Sequence, residues 1–299
     1  MENLKITIDG KTKEYPAGTT YAQIADEYRD AYGGEIAAVI VDGRIRELTK
    51  RPKRDCALTF ALFGDSVGRK IYERTAIMLF IKAARDLGAV KGVVEFSVGN
   101  GLYCRLKDAP WKEAKKKEKD KALSAFAEKL EARMRKLVEE KLPITKASYP
   151  LDEAREIFSA QGMEDKLKLF RFRRSSSVNM YCLDGYYDYY YGYMMPNAGY
   201  VKYFDLIPYG KGFMLLLPTR NNPLEVEPFK EQKQLFETML VSEDWGTKIG
   251  IENVGDLNDE ICRGSMNEFI LMQEAEQERK IGEIAKEIAG RSNVKFVMI

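Results

Sequence analysis

The sequence predicts an α+β protein: a small ββαββ unit, then a mixed region of helices and hairpins, then a helical segment. Three observations predict it. Alternating apolar strands flank Asp-Gly turns in the first 64 residues, helical and strand periodicities interleave up to residue 218, and only helical spacing follows residue 224. The 299 residues are 45% hydrophobic and 31% charged, enough apolar material for packed cores and for more than one domain. The expected divisions are 1–64, 66–218, a helical segment 224–290 and a final strand 291–299.

LKITIDG alternates as a half-buried strand does, and Asp9-Gly10 is a two-residue hairpin turn. KTKEYPAG returns as the second strand. Thr19-Thr20 caps a helix, TYAQIADEYRDAYG, which Gly33-Gly34 ends. AAVIVDG is a third strand, turning at Asp42-Gly43, and CALTFALF is the last. This order suggests a ubiquitin-like β-grasp.

GRKIYERTAIMLFIKAARDLG then reads as a helix with a broad apolar face, and VVEFSVGNGLYCRL as a hairpin turning at Asn100-Gly101. Residues 112–142 read as one charged helix ending before Pro143, opened by a lysine run that includes Lys115, Lys116 and Lys117. Asp152 to Gln161 is a short helix, and 178–217 is strand-like. Residues 229–244, 253–262 and 265–290 are helical. The last carries an apolar stripe including Ile281 and Ile284 that suits self-association or packing on a further domain, and VKFVMI is a terminal strand.

Composition excludes several chemistries. The chain has no histidine, which removes Ser-His-Asp and Cys-His mechanisms and every imidazole-ligated metal site. No GxxxxGK[ST] or GxGxxG loop is present. Four scattered cysteines make neither a disulfide framework nor a zinc ribbon and fit a cytoplasmic chain. No run is long and apolar enough for a membrane span, so no membrane partner is expected. Residues 1–65 carry 10 Lys/Arg against 11 Asp/Glu, whereas 66–218 carry 28 against 19, so the middle region is the expected partner of a polyanion.

KITIDG…KEYPAGTTYAQIA and VIVDGRIREL resemble the TGS domain, the β-grasp module at the front of threonyl-tRNA synthetases and some GTPases. RTAIMLFIKAARDL resembles the HSxxHLL helix of the synthetase editing domain, and YCLDGYYDYYYGYMMPNAGYVKYFDLI the segment with its DxCRGPHxPxTG motif. In that family two helix histidines, with a cysteine and a histidine of the later motif, remove serine wrongly attached to tRNA. Here the helix positions are Arg74 and Met78 and the later ones Tyr190 and Met194; Asp188 remains, and Lys166 matches a family lysine. The resemblance therefore implies an editing site with no catalytic residue and no metal.

LFRFRRSSSVNMY, YFDLIPYGKGFMLLLP and KFVMI also resemble the front half of bacterial nucleoside kinases of the uridine kinase family. That resemblance implies a regulatory region truncated before a P-loop kinase domain, which would be its partner and would use ATP and magnesium on uridine or cytidine. No cofactor is then expected in this chain. The alternatives are a free-standing trans-editing or tRNA-binding protein, and an oligomerisation module that forms a homo-oligomer. Arg171, Arg173 and Arg174 beside three serines, together with Lys115, Lys116 and Lys117, are the candidate contacts to tRNA, other RNA or a nucleotide effector.

Overall fold

The computed structural model describes residues 3–32, 35–89, 91–109, 111 and 115–293. It divides into two units: residues 1–163 with 175–243, and residues 164–174 with those from 244 onward. The terminal strand expected from Val294, the Gly33-Gly34 stop and the lysine at 112 lie outside the described residues.

The first unit begins with β1 (Asn3–Ile8), β2 (Lys11–Pro16), α1 (Tyr21–Asp26), β3 (Ile36–Val41), β4 (Arg44–Arg46) and β5 (Cys56–Leu62). The sheet order is β2-β1-β5-β3-β4, with β1 and β5 parallel at its centre. Both Asp-Gly turns have positive φ at each residue, 51° and 75° at Asp9-Gly10 and 51° and 70° at Asp42-Gly43, as a two-residue hairpin needs. The α1 N-terminus is a capping box: Thr20 accepts from the Gln23 N–H and the Gln23 side chain accepts from the Thr20 N–H. The helix is shorter than its sequence suggests. It stops at Asp26, and a single 3-10 turn at Asp30–Tyr32 follows.

Next come α2 (Ser66–Asp86), β6 (Gly92–Val98), β7 (Gly101–Leu106), α3 (Lys116–Glu139) and β8 (Ile144–Pro150). After them are α4 (Leu151–Ala160), β9 (Ser177–Leu183), β10 (Tyr186–Asp188), β11 (Asp205–Tyr209) and β12 (Gly212–Leu216). They make two sheets, β10-β9-β8 and β11-β12-β7-β6. α2 is the central pillar. Ile71, Tyr72, Ala76, Met78, Leu79 and Phe80 are all buried, and a helix apolar on several sides belongs inside a core. One cluster joins it to Leu130 and Met134 of α3, Leu183 of β9 and Phe213 of β12, to Ala38 of β3 and to Phe63 just after β5.

Three sequence expectations change here. The hairpin turn is Gly99-Asn100 rather than Asn100-Gly101, because Val98 pairs with Gly101 and Gly99 takes φ 60°. The charged helix is described only from Lys116 and ends at Glu139; Lys141 then adopts φ 49° ahead of Pro143. No sequence pattern marks strand β8, whose alternate residues include Lys146 and Ser148; it forms because β9 supplies a complete antiparallel ladder.

A pH-sensitive contact packs the helix α6 (Lys233–Lys248) on the β6–β7 hairpin. Glu95 lies 2.5 Å from Arg105, and Glu243 reaches the same guanidinium at 3.5 Å. Burial, then the hydrogen bond and charge of Glu95, push the Glu243 carboxyl up to about 7. The folded chain therefore keeps a proton that the unfolded chain loses as pH rises from its ordinary 4.5. The contribution is full below that value and is lost as pH rises toward 7. Glu243→Gln is expected to escape this loss, so the gap in thermal midpoint between wild type and variant should shift in the variant's favour across that window. An unchanged gap would contradict the assignment.

The second unit holds α5 (Glu164–Arg171), α7 (Val254–Arg263) and α8 (Met266–Ala289). Gly255 lets α7 lie directly on α5, since a Cβ there would sit 2.6 Å from Lys168 Cβ and 2.9 Å from Leu169 N. Lys168 then pairs with Asp256 at 2.6 Å and Arg171 with Asp259 at 2.5 Å. The sequence gives α5 no clear signal because the helix is short and mostly polar. On α8 the stripe stays exposed, with Ile281 46% and Ile284 45% accessible.

Candidate functional site

The helix and the later segment that resemble the editing motif meet in the first unit. On α2, Thr75 Oγ1 donates to the Ile71 carbonyl at 2.8 Å and accepts from the Met195 N–H at 3.0 Å, which ties the 190s loop to the helix. Arg74, half-buried, lies across Gly192 and donates to the Tyr193 carbonyl at 3.4 Å. A Cβ at Gly192 would come within 2.3 Å of the Arg74 guanidinium carbon, and φ 143° there is a conformation that favours glycine.

Met78 and Met194 are fully buried in the same cluster as Tyr186. Where the resemblance places an imidazole at each, the structure places packed thioether. Asp188 is buried; it accepts from the Tyr186 hydroxyl at 2.8 Å and from the Tyr189 N–H at 2.7 Å. The Tyr190 hydroxyl is enclosed with no hydrogen-bond partner of good geometry. Burial first, then the charge of Asp188, raises both the Tyr186 and Tyr190 phenols well above their ordinary range. Both stay protonated at neutral pH.

Below this lies a polar cluster that no sequence motif marks. The Tyr181 hydroxyl faces Glu47 at 2.5 Å and the Gly192 carbonyl at 2.8 Å, and accepts from Lys146 Nζ at 2.9 Å. Glu47 is 4% exposed and comes from the end of the first sheet. Lys146 also stacks over the Tyr181 and Tyr193 rings. On the far side Lys82 bridges Asp86 at 2.6 Å and Asp184 at 3.0 Å.

The arrangement has no imidazole to relay protons near neutral pH. Cys104 is enclosed, and burial pushes its thiol up, so it is no nucleophile. Cys182 is half-buried on β9. Among the described residues no group of three metal-ligating side chains occurs. An unsatisfied phenol in this setting makes a prediction. Tyr190→Phe removes a buried hydroxyl that lies beside Asp188 and Tyr186 but makes no hydrogen bond of good geometry, so it should be near neutral or raise stability slightly. Tyr186→Phe strips a hydrogen bond from the buried Asp188 and should cost about 1–3 kcal/mol. Urea unfolding of the two variants checks the contrast in sign.

The remaining sequence candidates lie elsewhere. Lys166 is on α5, in the second unit, 3.9 Å from Asp165. Arg171 is engaged by Asp259, Arg173 lies over the Phe170 ring, and Arg174 is exposed. The structure therefore does not gather the three arginines into one free cluster. Lys115 and Lys117 are exposed at the start of α3; the side chain of Lys116 lies outside the described residues. Of the tyrosine run only Tyr191, 90% exposed, is open enough to serve as a stacking face. Asp152 and Glu153 lie in the first turn of α4, behind a Pro150 cap, and Asp184 lies in a turn.

No family model matches the chain. It is similar to the threonine-tRNA ligase of Symbiobacterium thermophilum, 28% identical over 201 residues, which is 67% of this chain and 29% of the ligase. The ligase of Thermotoga maritima is 29% identical over 204 residues, covering 67% and 29%. That of Parabacteroides distasonis is 27% identical over 201 residues, covering 67% and 30%. The chain thus spans about three tenths of the length of these relatives. None of these comparisons supports the nucleoside-kinase expectation. No helix among the described residues is long and apolar enough to cross a membrane.

Proposed function

We propose that the chain is a tRNA-binding, non-hydrolysing counterpart of the editing region of threonine-tRNA ligases. One observation carries the reading. The segments that resemble the editing helix and the later motif come together at the Thr75–Met195 and Arg74–Tyr193 contacts, yet buried Met78 and Met194 and half-buried Tyr190 stand where the resemblance places reactive groups. Similarity over 67% of the chain to threonine-tRNA ligases supports the tRNA part. The β2-β1-β5-β3-β4 order supports reading the front as a TGS-like β-grasp module.

Binding is the function left once hydrolysis is removed. The Asp188 carboxylate is buried and held by Tyr186 and Tyr189, and a carboxylate cannot relay protons as imidazole does near pH 7. The test is retention of labelled tRNA by the chain on filters at low salt. Saturable retention that weakens as salt rises is expected; no retention at about 50 mM salt would overturn the reading.

A second reading makes the chain the regulatory front of a uridine-phosphorylating kinase, with ATP and magnesium bound by a separate domain. It rests on the sequence resemblance of LFRFRRSSSVNMY and its companions. Change in the uridine kinase rate of such a protein on deleting this region would test it.

A further inference from the structure

We propose that the open groove on the first sheet, between β4 and the loop 47–55, binds the phosphodiester backbone of an RNA strand. The groove has a volume of about 950 Å³ and is lined by Arg46, Lys50, Arg51, Lys53 and Arg54, with Asp42 as the acidic residue among its walls. It is separate from the buried cluster around Asp188 and rests on its own geometry.

The charge balance decides the ligand. Asp42 is spent on Arg54 at 3.0 Å. Glu47 is turned inward to Tyr181 and Lys146. Asp55 accepts from the Lys5 N–H at 2.8 Å. Arg46, Lys50, Arg51 and Lys53 are exposed and have no ion pair among the described residues, and neither has the adjacent Arg44. Several uncompensated cations around one concave surface repel one another unless an anion joins them. The sequence average hides this: residues 1–65 are net −1, because their acids sit elsewhere.

The loop is held in place before any ligand arrives. The Tyr21 N–H donates to the Lys50 carbonyl at 2.9 Å, the Ala22 N–H to the Leu48 carbonyl at 2.8 Å, and the Lys50 N–H to the Glu47 carbonyl at 3.0 Å. Pro52 is buried beneath it. Fixed cations lose less freedom on binding than mobile ones. A polymer suits the groove better than a free nucleotide. The walls are charged and open, and the ring of Tyr21 is buried, so no aromatic face grips a base. Successive phosphates along a strand match a row of cations.

The experiment measures binding of bulk tRNA to the full chain between about 50 and 200 mM salt. The variant Lys50→Ala/Arg51→Ala/Lys53→Ala should bind at least about tenfold more weakly at roughly 100 mM salt. Its slope of log affinity against log salt should fall by about two, at roughly 0.7–0.9 for each phosphate no longer neutralised. These side chains are exposed, and circular dichroism checks the fold. Lys50→Arg/Lys53→Arg should retain binding. Lys115→Ala/Lys117→Ala, which removes two other exposed basic side chains named as candidate RNA contacts, is measured beside it. A triple variant that keeps affinity and slope overturns the inference and leaves the proposed function standing, as does loss confined to the Lys115/Lys117 variant. Absence of tRNA binding by the parent overturns both. Binding to anionic vesicles with none to tRNA also overturns the inference.

Discussion

Gly68→Ala is expected to be the most damaging conservative change in the chain, costing about 3 kcal/mol or more. Gly68 lies in the first turn of α2, where the helix presses on the end of β5. A Cβ there would meet the Leu62 carbonyl oxygen at 1.9 Å and its carbon at 2.6 Å. That carbonyl cannot move aside. It accepts from the Asp65 N–H at 3.0 Å, and the Leu62 N–H is held by the Asp65 carboxylate at 2.7 Å. Overpacking into a side chain costs about 1–3 kcal/mol, and a backbone obstacle has less room to relax. Displacing α2 would also disturb Arg74, Thr75 and Met78. Gly282→Ala in α8 is the control: open space surrounds it, so helix propensity alone should act, adding about 1 kcal/mol. Chemical denaturation of both variants reads the difference, and a Gly68→Ala chain as stable as wild type would refute the close approach.

Glu47→Ala should be the next most costly, at about 2–4 kcal/mol. The carboxylate is buried and ties the first sheet to β8 and β9 through Tyr181 and Lys146. Removing it leaves an ammonium facing a tyrosine with no counter-charge, and breaking one side of a buried pair costs about 3–5 kcal/mol. Lys146 retains 23% exposure, so water recovers part of that loss. The double variant Glu47→Ala/Lys146→Ala should cost less than the sum of the single ones. Strict additivity would show that the two residues do not act together. A second tie runs in parallel, with Arg29 bonded to Glu35 and stacked on Tyr200, and Lys202 paired with Glu35 at 2.5 Å.

Much of the fold is legible where chemistry is local. Asp9-Gly10 and Asp42-Gly43 announce their turns, because each dipeptide tolerates the positive φ a tight hairpin demands. The long apolar spacing of α2 announces its burial. Local signals fail where partners are distant. Near residue 100 two turn dipeptides, Gly99-Asn100 and Asn100-Gly101, compete, and the ladder between β6 and β7 selects the first. Strand β8 has no alternation of its own and exists through β9.

The candidate site divides in the same way. Arg74, Met78, Asp188, Tyr190 and Met194 are named only through a family resemblance, since nothing in their own spacing marks a pocket. The Glu47–Lys146–Tyr181 cluster is invisible in sequence because its other members lie 99 and 134 residues from Glu47. Gly192 within a run of tyrosines is the one available signal, since a lone glycine there implies a close neighbour, which proves to be Arg74. Regional net charge points to the middle of the chain. It misses that acids of the first 65 residues are spent on internal partners, which leaves the basic loop uncompensated.

The proposed function separates tRNA binding from hydrolysis. The direct measurement is release of labelled serine from seryl-tRNA of the threonine acceptor, with the chain both substoichiometric and in excess. The account predicts release at the spontaneous rate under both conditions, with tRNA still bound. Release that rises with protein concentration and turns over more than once would contradict it, since it would require a proton shuttle that no histidine in this chain supplies.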